Sequence, residues 1–158
     1  MPKTRKPDVD AGPPTVMCKP AAMDCVFCRI VDGTADASVV HEDDRLLAFC
    51  DINPVNPGHL LIIPKIHRVG LVDLDKSDGS QMFVVAQRLA AAVRRSGLRC
   101  EAVNLFLADG PAAGQEVFHV HLHMFPRYRG DRFRLDSGQR PASRTDLDQV
   151  AARVRAVL

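Results

Sequence analysis

The chain contains no tryptophan and a single tyrosine among its 158 residues, so it lacks the aromatic platform on which single-stranded nucleic acid stacks. It also lacks a basic body. Residues 1–22 hold four basic side chains (Lys3, Arg5, Lys6, Lys19) against Asp8 and Asp10, and this segment carries the whole net charge of +2. The remainder is formally neutral, which excludes the electrostatic footprint of a long nucleic-acid binder. No apolar run approaches the ~18 residues a membrane helix needs. No charged-then-apolar leader opens the chain, so secretion is not expected. The five cysteines (Cys18, Cys25, Cys28, Cys50, Cys100) are an odd number. A disulfide framework is therefore not expected, and a reduced cytoplasm fits better.

What remains is ordinary for one folded domain: 46% hydrophobic and 25% charged residues. Residues 1–22 hold five of the eleven prolines and little periodic apolar pattern. They read as a flexible N-terminal extension, with the domain over 23–158. "CVFCRIVDG" reads as a short helix ending at Gly33, and "ASVVHEDDRLLAFCDI" as two strands around a Glu42-Asp43-Asp44 turn. A Pro/Gly-punctuated loop leads to a strand over 59–64. The clearest helix runs from Ser77 to Ser96, with Met82, Val85, Ala86, Leu89 and Val93 on one stripe and Gly97 as its stop. Strands are expected over 102–107 and 117–125. Thr145 with Asp148 can cap a last helix whose Leu147, Val150, Ala151, Val154 and Leu158 face inward. The sum is an α+β domain: a meandering antiparallel sheet with one long helix across it and a C-terminal helix.

"FHVHLHMFPR", residues 118–127, places three of the six histidines at alternate positions. On a strand, His119, His121 and His123 share one face while Phe118, Val120, Leu122 and Met124 line the other. Neighbours would stand ~6.7 Å apart and the outer pair ~13 Å, too far for all three to bind one metal. A division of labour is the natural arrangement, with a central nucleophile flanked by groups that orient or charge it. The preceding loop "ADGPAAGQE" supplies Gly110 and Gly114, whose turn can offer backbone N–H groups to an anion. Nucleophile, anion donors and cationic partner together suit phosphate chemistry. Cys25-Val26-Phe27-Cys28 is by itself open to three readings: half of a tetrahedral metal site, a redox pair, or two buried thiols. His41 reads as solvent-exposed.

"QEVFHVHLHMFPR" resembles the signature of the histidine triad (HIT) superfamily, His-φ-His-φ-His-φ-φ with φ apolar. "CVFCRIVDG", "EDDRLLAFCDINPVNPGHLLIIPKIH" and "DGPAAGQEVFHVHLHMFPR" are similar to that family in the right order, over roughly residues 24–135. The resemblance implies a HIT-like fold and a homodimeric nucleotidyl hydrolase or transferase acting at the α-phosphate of a purine nucleotide conjugate. His121 matches the nucleophile that would form a covalent nucleotidyl-histidine. His59 and His123 match its partners, His59 fixing the ring tautomer and His123 contacting phosphate. Asp51 matches the acid that holds the ribose hydroxyls. Gln115, with the backbone from Gly114 to Val117, matches the phosphate-side loop, and Phe27, Ile30, Phe49 and Ile52 the base pocket. Ala108 departs from the asparagine many members carry two residues before the loop glycine, and offers no side-chain hydrogen bond to the leaving group or phosphate. Cys25, Cys28, His67 and His119 satisfy the charge and coordination number of a structural zinc, and resemble the zinc site of bacterial members with CxxC. Arg127, Arg129, Arg132 and Arg134 read as a solvated loop, or as receivers of extra phosphates or of a partner subunit. Two rivals remain: a non-catalytic nucleotide-binding regulatory module, and a hydrolase in which the triad itself ligates zinc.

Overall fold

A computed structural model describes residues 25–134 and 138–158. The expected extension over 1–22 lies outside the described residues. The elements run α1 (Val26–Val31), β1 (Val39–Glu42), β2 (Leu46–Cys50), β3 (Leu60–Pro64), α2 (Lys76–Arg95), β4 (Ala102–Phe106), β5 (Leu122–Arg127) and α3 (Arg144–Arg155). The five strands form one antiparallel sheet in the order β1-β2-β3-β5-β4. The expected α+β architecture, with a long helix across the sheet, is the one observed.

Strand alternation separates two packed faces. Leu46, Ala48, Leu60, Ile62, Leu122 and Met124 meet the Met82, Val85, Ala86, Leu89 and Val93 stripe of α2. Leu47, Phe49, Leu61 and Ile63 point the other way, where Phe27 of α1 covers them. β3 is buried along its whole length because both faces are covered. This explains why "LLIIP" shows no polar alternation. Asp75 caps α2 by accepting from the amides of Ser77 and Asp78. Asp78, itself buried, accepts from Arg45 Nε at 2.6 Å and ties the β1–β2 turn to α2.

Three expectations change. The histidine segment is not one strand: β5 begins at Leu122 and extends to Arg127, so residues 117–121 lie outside it. The ladder between β3 and β5 ends at the Ile62–Leu122 pair. Beyond it Pro64 has no N–H to give, and its carbonyl accepts from the His119 ring at 2.8 Å instead. The C-terminal helix is capped by Ser143, whose Oγ accepts from the Asp146 amide, rather than by Thr145. Leu147, Val150, Val154 and Leu158 do not face inward but are exposed, and α3 buries none of its residues. His41 is not a free surface group; it is partly buried and bonds Asp43 at 3.1 Å.

Candidate active site

The site lies on the α1 side of the sheet. Pairing of Leu61 with His123 puts that histidine in the middle of the β3–β5 ladder. His59, one residue before β3, reaches the same face, and its Nε2 stands 3.0 Å from His123 Nδ1. The Val55 amide donates to His59 Nδ1 at 3.1 Å. That bond fixes the tautomers in sequence, since a neutral imidazole has one donor and one acceptor nitrogen. His59 accepts at Nδ1, so it donates at Nε2. His123 then accepts at Nδ1 and carries its proton on Nε2. Asp51 stands beside both rings, its carboxylate 3.5 Å from His59 Nε2 and 3.8 Å from His123 Nδ1.

His121 is oriented differently. Its Nδ1–H donates to the backbone carbonyl of His119, two residues back, at 2.7 Å. Its Nε2 therefore holds a lone pair rather than a proton. The structure thus gives His59 a different neighbour from the one expected: it orients His123, while the backbone fixes the tautomer of His121. One histidine offers an unprotonated nitrogen and the next offers an N–H.

Burial lowers the pKa of all three rings. His59 and His121 are pushed down by desolvation, with the Asp51 carboxylate opposing. His123 falls to about 4, through burial first and then the neighbouring His121 and His59. All three are neutral at pH 7, the state a nucleophilic imidazole needs.

These rings open into a cavity of about 990 Å³, ample for a nucleotide and a leaving group. Asp51, Gly114, Val117 and the four expected base-pocket residues all line it. Phe27 and Phe49 are buried and stack edge-to-face with centroids 5.5 Å apart. Ile52 is 91% exposed, so it forms a lip rather than core. Gln115 does not line the cavity. It turns inward, accepting from the Gly110 amide at 2.8 Å and donating to the carbonyls of Val69 and Val117. It shapes the loop, whose turn at Gly114 sits at φ +84°, a region a Cβ disfavours. Ala108 is buried and faces no part of the cavity.

Rings continue through the site as a ladder. Phe27 meets His121 at 5.2 Å between centroids, His121 meets His123 at 4.8 Å, and His123 meets His59 at 5.2 Å. Phe125 comes next at 5.1 Å from His59, and Phe133 at 5.0 Å from Phe125. Phe106, Phe133 and Arg134 also line the cavity. The sequence pattern assigns none of these three to the site individually, although Arg134 stands in the arginine cluster. Arg127 of that cluster is structural: it grips buried Asp131 through Nε and Nη2.

Behind the triad, the ligand atoms of Cys25, Cys28, His67 and His119 lie within 4.8 Å of one another. Sulfur–nitrogen separations are 3.5 Å for Cys25–His119, 3.3 Å for Cys28–His67 and 3.6 Å for Cys28–His119. Zn–S of ~2.3 Å and Zn–N of ~2.0–2.1 Å in a tetrahedron put such ligands ~3.5 Å apart. The bond from His119 Nε2–H to Pro64 leaves its Nδ1 lone pair for the cluster, the usual outer support of a metal-bound imidazole. The donor set fits zinc. All four ligands come from elements around α1, the end of β3 and the turn before β5, so the metal would pin α1 to the sheet.

The HIT domain family model matches residues 32–130. A HIT-like protein of Mycobacterium tuberculosis is 41% identical over 129 residues, covering 82% of this chain and 88% of that one. An Arabidopsis thaliana protein named adenylylsulfatase HINT3 is 38% identical over 109 residues, 68% of this chain and 54% of its own length. Among solved structures, a zinc-bound histidine triad family protein from Mycobacterium smegmatis superposes with a TM-score of 0.68 at 40% identity, covering 87% of this chain and 99% of that one.

Proposed function

The chain belongs to the HIT domain family, and from that premise and the geometry of its histidines we propose that it is a nucleotidyl hydrolase with His121 as nucleophile. The substrates are purine nucleotide conjugates, phosphoramidates or dinucleoside polyphosphates, cleaved at the α-phosphate. The observation that carries this reading is the pair of opposed tautomers: a bare Nε2 on His121 beside an N–H on His123.

The base packs against Phe27 and Phe49, with Ile30 and Ile52 at its edges, and Asp51 accepts from the ribose hydroxyls. His121 Nε2 attacks the α-phosphorus, forming an N–P bond as the bond to the leaving group breaks. The ring becomes cationic, and its Nδ1–H bond to the His119 carbonyl strengthens as that charge appears. His123 Nε2–H hydrogen-bonds the phosphoryl oxygen, and the His59–Val55 relay keeps that proton on the correct nitrogen. Water then attacks phosphorus, Nε2 leaves, and nucleoside monophosphate is released.

Zinc held by Cys25, Cys28, His67 and His119 would act as a structural cross-link. This donor set is complete without the catalytic rings; Asp51, His59 and His123 form a second cluster of only three donors, and the His59–His123 hydrogen bond accounts for their close approach. Among the described residues no helix is long and apolar enough to cross a membrane, and cysteines in the thiol or thiolate state suit the cytoplasmic location we propose. A homodimer is supported by edge strand β4, which pairs only with β5 among the described strands and exposes Leu105 and Phe106. A monomeric mass in solution would remove that part.

Intact-mass spectrometry, avoiding acid, after mixing with adenosine 5′-phosphoramidate or diadenosine tetraphosphate tests the reading. One AMP adduct, absent in His121→Ala, is expected, with AMP binding retained in that variant. Nucleotide binding with neither adduct nor AMP release would favour the rival, a regulatory binding module.

A further inference from the structure

We propose that Arg134 selects an anionic leaving group, the phosphate chain of a nucleoside oligophosphate or dinucleoside polyphosphate, at the end of the cavity opposite the base pocket. This rests on the nucleotidyl-hydrolase reading and specifies its substrate.

Charge gives the first argument. The cavity is lined by three carboxylates, Asp36, Asp51 and Glu116, and among the described residues by one permanent cation, Arg134. A leaving group that is itself anionic would meet net repulsion in such a cavity, and a single guanidinium is the group that offsets it.

Position gives the second. The ring ladder has a direction: Phe49 and Phe27 at one end, His121 and His123 in the middle, His59, Phe125 and Phe133 at the other. With the base on Phe27 and the α-phosphorus at His121, the ribose turns aside to Asp51, and the leaving group, displaced in line from His121 Nε2, runs past His123 towards Phe133. Arg134 is the next residue and lines the same cavity.

Rigidity gives the third. Asp131 is 4% exposed and is held by Arg127 and by Asn56 Nδ2 at 3.0 Å. The Arg127 guanidinium covers the Phe133 ring at 4.6 Å and donates to its carbonyl. Arg134 Nη1 donates to the carbonyls of Asp131 and Phe133 at 2.7 and 3.0 Å. These bonds use Nη1 alone, leaving Nε and Nη2 as donors for a phosphate. The guanidinium is thus presented from a fixed turn, which reduces the ordering cost of binding.

The chemistry distinguishes leaving groups. As the N–P bond forms at His121, the bond between α-phosphorus and the bridging oxygen breaks, and its electron pair stays on the departing phosphate. The new negative charge develops on the Arg134 side and is stabilised there. An amine leaving group takes a proton from water in the open cavity as the P–N bond breaks, departs neutral and presents no such charge.

The test measures kcat/KM for diadenosine tetraphosphate and adenosine 5′-phosphoramidate in the full-length wild type, Arg134→Ala and Arg134→Lys. The ratio of polyphosphate to phosphoramidate should fall about tenfold or more in Arg134→Ala, with partial recovery in Arg134→Lys. A ratio within about twofold of wild type, or an equal loss on both substrates, overturns the proposal. A binding arm separates it from the functional reading. In a His121→Ala background, ATP should bind more tightly than AMP, and Arg134→Ala should erase that difference. If wild type turns over neither substrate, the hydrolase reading fails, but the ATP–AMP difference still decides the anion subsite. Its absence, or its survival without Arg134, sinks the subsite.

Discussion

His119 and His121 are joined by a 2.7 Å hydrogen bond from the His121 ring to the His119 backbone carbonyl, while the His119 ring turns away to Pro64 and the cysteine pair. One residue therefore serves both proposed centres: its side chain belongs to the Cys25/Cys28/His67/His119 quartet and its carbonyl sets the tautomer of His121, the proposed nucleophile. Residues 117–121 are not in the sheet; they are held by these side-chain bonds, by the Val120 amide donating to the Arg68 carbonyl at 2.7 Å and the His119 amide to the Val117 carbonyl at 2.8 Å, and by Gln115 Nε2 on the Val117 carbonyl. In the proposed enzyme, metal binding and the orientation of His121 would be coupled through that segment.

Chelation should expose the coupling. Removing zinc from the purified protein should lower Tm by about 5 °C or more, because the cross-link between α1 and the sheet is lost. Adduct formation at His121 should slow in parallel, and both should return with added zinc. An unchanged Tm after verified metal removal would show that the quartet does not support the fold. Loss of turnover with Tm intact would instead favour zinc as a catalytic metal.

Replacing His59 by alanine leaves the Val55 amide without its acceptor and His123 free to change tautomer. The expected result is a fall in kcat of about 10–100-fold with AMP affinity changed much less. His121 keeps its own bond to the His119 carbonyl, so a slowed but detectable AMP adduct should persist. Complete absence of the adduct would mean that His59 acts on the nucleophile directly.

Periodicity and motif spacing revealed different things about this chain. The α2 stripe was legible because Met82, Val85, Ala86, Leu89 and Val93 repeat at helical intervals and all bury on the sheet. The triad was legible as a cluster, but not its geometry: alternation in "HVHLH" suggested a straight strand, whereas Pro64 ends the ladder and the segment bends into the site. Alternation cannot report where a partner strand stops. The stripe of α3 misled for the opposite reason, since an amphipathic pattern says which face is apolar and not whether anything covers it. Arg127 and Arg134 sit seven residues apart in one arginine-rich run, yet one is locked to Asp131 and the other lines the cavity. Only the fold separates them.

Asn56 carries a structural prediction. It is buried, donating through Nδ2 to the Pro126 carbonyl at 2.9 Å and to Asp131 Oδ2 at 3.0 Å. Asn56→Ala removes both bonds and takes one donor from the buried Asp131 carboxylate, whose Oδ2 keeps those from Arg127 Nε and the Tyr128 amide. The expected loss is about 2–4 kcal/mol in denaturant unfolding. Since Asp131 also anchors the Phe133–Arg134 turn, the same variant should weaken ATP binding more than AMP binding. A loss below about 0.5 kcal/mol would show that the Asp131–Arg127 pair suffices alone.

The pH dependence arises from the buried rings. His123 has a folded pKa of about 4, and burial lowers those of His59 and His121 from 6.5 as well. Well above pH 6.5 the rings are neutral in both folded and unfolded chains, so they contribute no pH dependence there. Between pH 6.5 and about 4 the unfolded chain binds more protons than the folded one, and stability must fall as pH falls. Each unit of lowering corresponds to ~1.4 kcal/mol for a group, so Tm should drop steadily on acidification through that window. Activity responds through a different step. His121 attacks only as the free base, and its lowered pKa keeps it so at pH 6.5, where an unperturbed histidine would be half protonated. The acid limb of kcat/KM should therefore lie below pH 6.5, and initial rates at pH 6.5 and 7.5 should differ by less than twofold. An acid limb centred at or above 6.5 would mean that the nucleophile is solvated in the working enzyme, and that the closed ring arrangement around Phe27 and His123 opens before substrate reacts.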